Sequence, residues 1–139
     1  MTELAKRRRA LMVAEKASGK SDMNGWTNGV PYTDITVYNK SYYDATTGEV
    51  KNYNGWKRTG LIPCNGASFL RFPRINHNNQ ADMMYNWIFD GSRQPLQQFT
   101  ISISKAYRID IPANGAFFAI SLPGTSLEQA LSDGITPYA

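Results

Sequence analysis

One eight-residue pattern occurs twice in this sequence and limits strongly what the chain can fold into. Residues 62–69 and 111–118 share Ile-Pro-x-Asn-Gly-Ala-x-Phe at an offset of 49 residues. In each copy a strand is expected to end at the isoleucine, because the following proline has no N–H to donate to a ladder. Asn-Gly then favours a turn with positive φ, and an apolar strand leaves from the alanine. Unless the match is a coincidence of common turn residues, the repeat predicts two similar halves of an antiparallel β-sandwich with jelly-roll or Greek-key connections.

Short apolar segments separated by turn residues recur along residues 33–139, as in an all-β domain. The clearest is the alternation of residues 99–104, in which Phe99, Ile101 and Ile103 predict a buried face and the residues between them a solvated face. Further strands are expected at residues 33–39, 55–62, 68–75, 83–89, 106–111 and 115–122, and one helical turn is expected at residues 127–132 after a Ser126 cap.

A hairpin is predicted at residues 42–50 from the chemistry of its turn. Asp44 can accept hydrogen bonds from its own backbone, and Gly48 supplies the positive φ that closes such a loop. Residues 44–49 lack the alternating carboxylates of a calcium loop, so we expect no metal there.

Residues 1–20 differ in kind from the rest of the chain. Six basic and two acidic side chains give this arm a net charge of +4, which is also the net charge of the whole chain. Residues 21–139 are therefore neutral, and the asymmetry indicates an interaction tail. Helix-forming residues dominate the arm and predict a short basic helix, marginal on its own in water. We divide the chain into this arm (residues 1–20), a Gly/Asn-rich linker (residues 21–32) and a β-sandwich domain (residues 33–139).

Three roles for the arm are open: a solvated terminus, a nucleic-acid tail, or an anchor on an acidic protein surface. Nucleic acid is disfavoured because a basic face should continue into the folded domain. No apolar core follows the basic run, so we expect no signal peptide, and no stretch is apolar enough to cross a membrane. The anchor hypothesis, which we favour, assigns partner contacts to Leu4, Lys6, Arg7, Arg8, Arg9, Leu11 and Met12.

Catalytic and metal-binding patterns are lacking in the sequence. Cys64 and His77 are the only residues of their kinds and stand in no recognisable motif, so we interpret them as a buried thiol and a solvated loop residue. We expect no enzymatic activity, no cofactor and no metal. Glycan binding remains open, because an aromatic ring beside amide groups suits a sugar. The candidates are Trp26, Tyr53, Trp56 and Trp87, near asparagines at 52–54 and 76–79; the alternative is that these rings belong to the core.

Four segments carry a resemblance to a known class of proteins. They are Tyr-x-Asp-x-x-Thr-Gly-Glu at residues 42–49, the stretch from Trp56 to the first repeat at Gly66, the aromatic strand ending in Phe-Asp-Gly at Gly91, and the second repeat at residues 111–118. The pattern resembles jelly-roll domains in virion proteins of tailed phages of gut bacteria: head fibres, capsid decoration proteins and tail appendages. The basic residues 6–12 look like the short leader of such proteins.

The resemblance implies a non-enzymatic structural protein located in the virion. Its partners would be capsid or tail proteins and further copies of itself, a trimer before a dimer, with contact to a host glycan as an added function. The alternative is a glycan-binding module used in attachment to the host surface.

Overall fold

The computed structural model of the protein describes residues 29–75, 83–101 and 106–139, so the basic arm, Trp26, His77 and Ile103 lie outside the described residues. The described part contains ten strands and one helix. They are β1 (Val37–Tyr43), β2 (Val50–Thr59), β3 (Ile62–Pro63), β4 (Phe69–Phe72), β5 (Met83–Phe89), β6 (Pro95–Ile101), β7 (Tyr107–Asp110), β8 (Phe117–Ala119), β9 (Ser121–Pro123), α1 (Ser126–Asp133) and β10 (Thr136–Tyr138). No helix within these ranges has the length and apolarity needed to cross a membrane.

The strands form three antiparallel sheets, which confirms the expected all-β antiparallel class. Sheet I has the order β1-β2-β9, sheet II the order β3-β8-β5-β6, and sheet III the order β10-β4-β7. Sheets II and III meet at Phe72, whose ring centroid lies 5.8 Å from that of Phe99 and 6.1 Å from that of Phe118. Leu122 of sheet I and Leu127 of α1 join the same hydrophobic cluster. One core therefore holds the three sheets and the helix together.

The two copies of the repeated motif lie side by side and run in opposite directions. β3 pairs with β8 in sheet II, and β4 pairs with β7 in sheet III. Between these ladders the N–H of Cys64 donates to the carbonyl of Ala116 (2.9 Å), and the N–H of Ile111 donates to the carbonyl of Ser68 (2.8 Å). The first copy passes from sheet II to sheet III and the second passes back. The two segments thus hold equivalent positions about an approximate two-fold relation.

The turns inside the two copies differ, although their sequences match. In the first copy Asn65 and Gly66 have φ of 54° and 79°, as the sequence predicts. In the second copy neither Asn114 nor Gly115 has a positive φ, so that part of the prediction is wrong. There the N–H of Gly115 donates to the carbonyl of Pro112 at 2.9 Å, which places the turn one residue earlier relative to the motif.

The glycine of the second copy, Gly115, is explained by the lack of room for a side chain rather than by its φ. A Cβ at Gly115 would lie 2.8 Å from Cγ2 of Ile111 and 3.0 Å from Cγ2 of Ile88. Ile88 belongs to the central strand of sheet II and is fully buried. The turn can therefore pack this closely on β5 only if residue 115 has no side chain.

Several strand predictions need correction. The strand expected at residues 55–62 is two strands in different sheets: β2, which already begins at Val50 and ends at Thr59, and β3, which begins at Ile62. The strand expected at residues 33–39 begins only at Val37, because Asp34 has a φ of 58° and interrupts the extended chain. The strand expected at residues 115–122 is two strands in different sheets. At Ile120, between them, both backbone groups bond to Thr59 of β2, which draws the chain from sheet II into sheet I. In β6 the predicted inward residues Phe99 and Ile101 are buried.

The helix and the linker also differ from expectation. The N-cap position is Thr125, whose side chain makes no capping hydrogen bond, and Ser126 is instead a buried residue of the first turn. The last residues of the predicted linker lie along β10, where the N–H of Gly29 donates to Pro137 O (2.8 Å) and that of Tyr32 to Ile135 O (3.0 Å). Local sequence did not predict this pairing of the linker with the end of the chain, because the two segments are about 100 residues apart.

We expect Gly115→Ala to lower the free energy of unfolding by about 1–3 kcal/mol, because the added methyl group overpacks the contact with Ile88 and Ile111. Urea denaturation followed by circular dichroism measures this. Gly91→Ala is the matched control, since a Cβ added at Gly91 would meet no atom within 4 Å and the residue has no positive φ; a change within about 0.5 kcal/mol is expected there. Equal destabilisation by the two substitutions would contradict the packing argument.

Candidate functional site

Four aromatic side chains from three strands line an open cavity of about 230 Å³, which we call the tyrosine cleft: Tyr42, Tyr53, Trp56 and Tyr85. The ring of Tyr42 is at the centre, with centroid distances of 6.3 Å to Tyr53, 5.9 Å to Trp56 and 5.3 Å to Tyr85. Trp56 and Tyr85 meet edge to face at 4.9 Å. These distances are typical of stabilising aromatic pairs, so the cleft is a continuous aromatic surface.

A bulge in β2 places two of these rings. In the ladder between β1 and β2, only Lys40 of β1 lies opposite residues 53–56 of β2. Lys40 has a φ of 56° and Gly55 a φ of 88°. Bulges of this kind bend a strand and redirect its side chains. Tyr53 is left 61% exposed, whereas Trp56 rejoins the ladder beside β9 and packs partly against the core.

The hairpin beside the cleft has the turn that its sequence predicts. Oδ2 of Asp44 accepts hydrogen bonds from the N–H groups of Thr47 (2.9 Å) and Thr46 (3.0 Å), and these bonds hold the pKa of the Asp44 carboxyl below its usual value. Gly48 has the expected positive φ of 76°. The carbonyl of Asp44 accepts the indole N–H of Trp87 at 2.7 Å. The hairpin is thereby fixed to β5.

Buried polar contacts fix the strands behind the cleft. Oδ1 of Asn86 accepts the N–H of Ser121 (3.0 Å), and Oγ of Ser121 accepts the N–H of Tyr43 (2.9 Å). Satisfied polar groups in a dry interior hold their partners in one arrangement. Tyr42 directly precedes Tyr43 and Tyr85 directly precedes Asn86. Two of the three cleft tyrosines, Tyr42 and Tyr85, are therefore each attached to a residue of this network.

The structure brings together only part of the predicted glycan site. Tyr53 and Trp56 meet in the cleft as neighbours of Tyr42. Trp87 is only 8% exposed and packs with Tyr43 and Phe89, so its proposed role as a binding platform is wrong: its ring fills the core and its N–H is already bonded. Trp26 and the anchor residues 4–12 lie outside the described residues.

Tyr42 and Tyr85 are the cleft residues that the sequence analysis missed. Tyr42 stands beside the buried Tyr43 in β1, and this pair of tyrosines on a strand was a signal, since successive strand residues face opposite sides. No local signal identified Tyr85, because its place depends on the packing of β5 beside β1.

Among the described residues that line the cleft, the titratable side chains are those of three tyrosines. None of the described residues that line it is acidic, a histidine or a cysteine. Cys64 is fully buried, and burial raises the pKa of its thiol to about 12, so the thiolate that a nucleophile requires does not form near neutral pH. In the described ranges, no group of three or more His, Cys, Asp or Glu side chains is placed to hold a metal ion.

A comparison of the chain with protein-family models, with curated proteins and with solved structures gives no match. A proposal about function therefore depends on the residues and their geometry.

We expect Trp87→Phe to lower the free energy of unfolding by about 1–3 kcal/mol. The substitution removes the N–H that donates to the Asp44 carbonyl, and the smaller ring leaves a gap in the core. Thermal unfolding followed by circular dichroism measures the loss. Trp56→Phe is the matched control at a half-buried position, and its effect should be below about 1 kcal/mol. A larger loss of unfolding free energy in Trp56→Phe than in Trp87→Phe would contradict the description of Trp87 as a core residue and of Trp56 as a half-buried residue of the cleft.

Proposed function

We propose that this chain is a non-enzymatic structural protein of a phage virion, a head-fibre, decoration or tail-appendage subunit, attached through its basic N-terminal arm. The observation that carries the proposal is the charge distribution: residues 1–20 hold the entire net charge of +4, and residues 21–139 are neutral. A neutral folded body with one charged arm suits a subunit that projects from a particle and docks by a short segment.

The fold is compatible with this proposal at the level of architecture. The resemblance to phage jelly-roll domains rests on turns and strand ends, and these belong to one antiparallel β fold. The two repeats hold equivalent positions in that fold. A jelly-roll sandwich is the finer architecture that we propose for it. Self-association, as a trimer first and a dimer second, would cover the free edges of the sheets.

The arm is proposed to act as a helical anchor with two parts. Leu4, Leu11 and Met12 supply apolar contacts, and the basic run of residues 6–9 supplies charged ones. Such a helix is marginal alone and gains its stability from the surface it binds. The partner is another capsid or tail protein with an acidic patch.

Deletion of residues 1–20 should abolish incorporation into particles while the folded body keeps its circular dichroism spectrum. Mass spectrometry of purified particles from cells that express the full or the shortened chain measures incorporation. The variant Leu4→Ser, Leu11→Ser, Met12→Ser keeps the charge and tests the apolar part separately. Incorporation of the shortened chain at the level of the full chain would refute the anchor. Binding to nucleic acid that falls steeply with salt would instead indicate a nucleic-acid tail.

A second candidate function is glycan binding, and the tyrosine cleft is the observation that favours it. Sugars present flat apolar faces bordered by hydroxyl groups, and tyrosine offers both an apolar ring and a polar tip. The three tyrosine hydroxyls of the cleft make no hydrogen bond to another described residue. Tyr53 stands 61% exposed at the rim. A protein interface could use the same rings, so binding must be tested directly.

For glycan binding we expect Tyr53→Ala to weaken affinity by roughly 10-fold, since it removes the most exposed ring of the cleft. The parent is first screened against host surface oligosaccharides, and titration calorimetry then compares the variants. Tyr38→Ala is the matched control: Tyr38 is 45% exposed on the same hairpin but lies outside the cleft. No binding by the parent to any host oligosaccharide would end this candidate function without affecting the anchor proposal.

A further inference from the structure

The tyrosine cleft adjoins a second, polar cavity at Tyr53. This neighbouring cavity is wide and open, with a volume of about 750 Å³, and its lining residues are Asn39, Lys40, Asn52, Tyr53 and Asn54. Tyr53 lines both cavities. A ligand that packs on the ring of Tyr53 therefore lies next to the polar residues of the second cavity.

The bulge in β2 contributes residues to the polar cavity as well as to the tyrosine cleft. Asn52 and Asn54 flank Tyr53 on the bulged strand, and Lys40 is the single residue of β1 that lies opposite the bulge. The left-handed backbone of Lys40, with a φ of 56°, is an uncommon conformation for a residue other than glycine. The bulge therefore brings Lys40, Tyr53 and Asn54 together between the paired positions Asn39 and Asn52.

The polar cavity carries a positive charge. Lys40 makes no ion pair with another described residue, and none of the described lining residues of either cavity is acidic. Lys51, which precedes Asn52 on β2, differs from Lys40 because it has an ion-pair partner: its Nζ lies 3.8 Å from a carboxylate oxygen of Glu49. An ammonium group has three donors and no acceptor, so the group that it binds best is an anion.

We infer that the polar cavity binds the carboxylate of an acidic sugar whose neighbouring ring packs on Tyr53. This inference rests on the proposed glycan-binding function and specifies its ligand: a uronic-acid-containing oligosaccharide rather than a neutral one. The three asparagine amides supply donors and acceptors for the sugar hydroxyls, and Lys40 supplies the charge contact. A single cation beside an aromatic cleft suits one carboxylate per site, whereas a nucleic acid requires several phosphate contacts.

The test uses the full chain and matched pairs of hexasaccharides that differ only in oxidation at C6: glucose and glucuronic acid, galactose and galacturonic acid, mannose and mannuronic acid. We expect the parent to bind at least one acidic member about 2- to 5-fold more tightly than its neutral partner at low salt, as an exposed charge pair allows. The preference should disappear in about 1 M salt, where charges are screened within a few ångströms.

Variants assign the preference to one side chain. Lys40→Gln should bind both members of a pair equally, and Lys40→Arg should keep the preference, since it keeps the charge. Lys51→Gln is the control for a nearby exposed lysine that lines neither cavity, and it should behave as the parent. Thermal unfolding should be the same for all of these variants, because Lys40 is exposed.

The possible failures are distinguishable. Equal binding of acidic and neutral members by the parent, or a preference that survives in Lys40→Gln, overturns the acidic-sugar inference but leaves the glycan site in place. No binding of any member overturns the acidic-sugar inference, and the glycan-binding function falls with it only if the parent also binds none of the host surface oligosaccharides.

Discussion

The structure depends on a small buried network of polar contacts where sheets I and II meet. The side chain of Asn86 accepts the N–H of Ser121 and donates to the carbonyl of Met83 at 2.9 Å, which bridges the irregular start of β5. Ser121 in turn accepts the N–H of Tyr43, whose hydroxyl donates to the carbonyl of Thr59 at 2.7 Å. Because an unsatisfied polar group is costly in a dry interior, the strands have one acceptable alignment. Tyr42 and Tyr85 of the cleft, one residue away from Tyr43 and Asn86, take their positions from it.

The second organising feature is the pairing of the two repeats. Each copy crosses between sheets II and III, and the two crossings hold each other in place through the bonds from Cys64 to Ala116 and from Ile111 to Ser68. This arrangement explains why Ile62 and Phe118 lie in the core although they come from segments far apart in the chain. The resulting body has one buried core at its centre, and its chemically distinctive surface lies at the bulge of β2, the middle strand of sheet I.

Much of the fold followed from local sequence, and the part that did not has a common cause. The hairpin at Asp44 and Gly48 was predicted because its turn bonds are made within six residues. The division of residues 115–122 at Ile120 was missed, because the bonds that cause it come from Thr59. In the candidate site, too, the features that depend on residues distant in the sequence were not predicted. Tyr53 and Trp56 were identified from composition, whereas the exclusion of Trp87 and the inclusion of Tyr85 depend on which face of each strand meets the core.

The sequence by itself determined the all-β class, the turn at Asn65 and Gly66, the burial of Cys64 and the concentration of net charge in residues 1–20. These properties depend on hydrophobic period, backbone chemistry and charge, all of which act within a few residues. Only the tertiary structure decided that four rings from β1, β2 and β5 form one cleft and that Lys40 lies beside it with no ion-pair partner among the described residues. The physical reason is that a bulge is a mismatch between two strands: Gly55 marks it locally, but the side chains that it brings together depend on the partner strand.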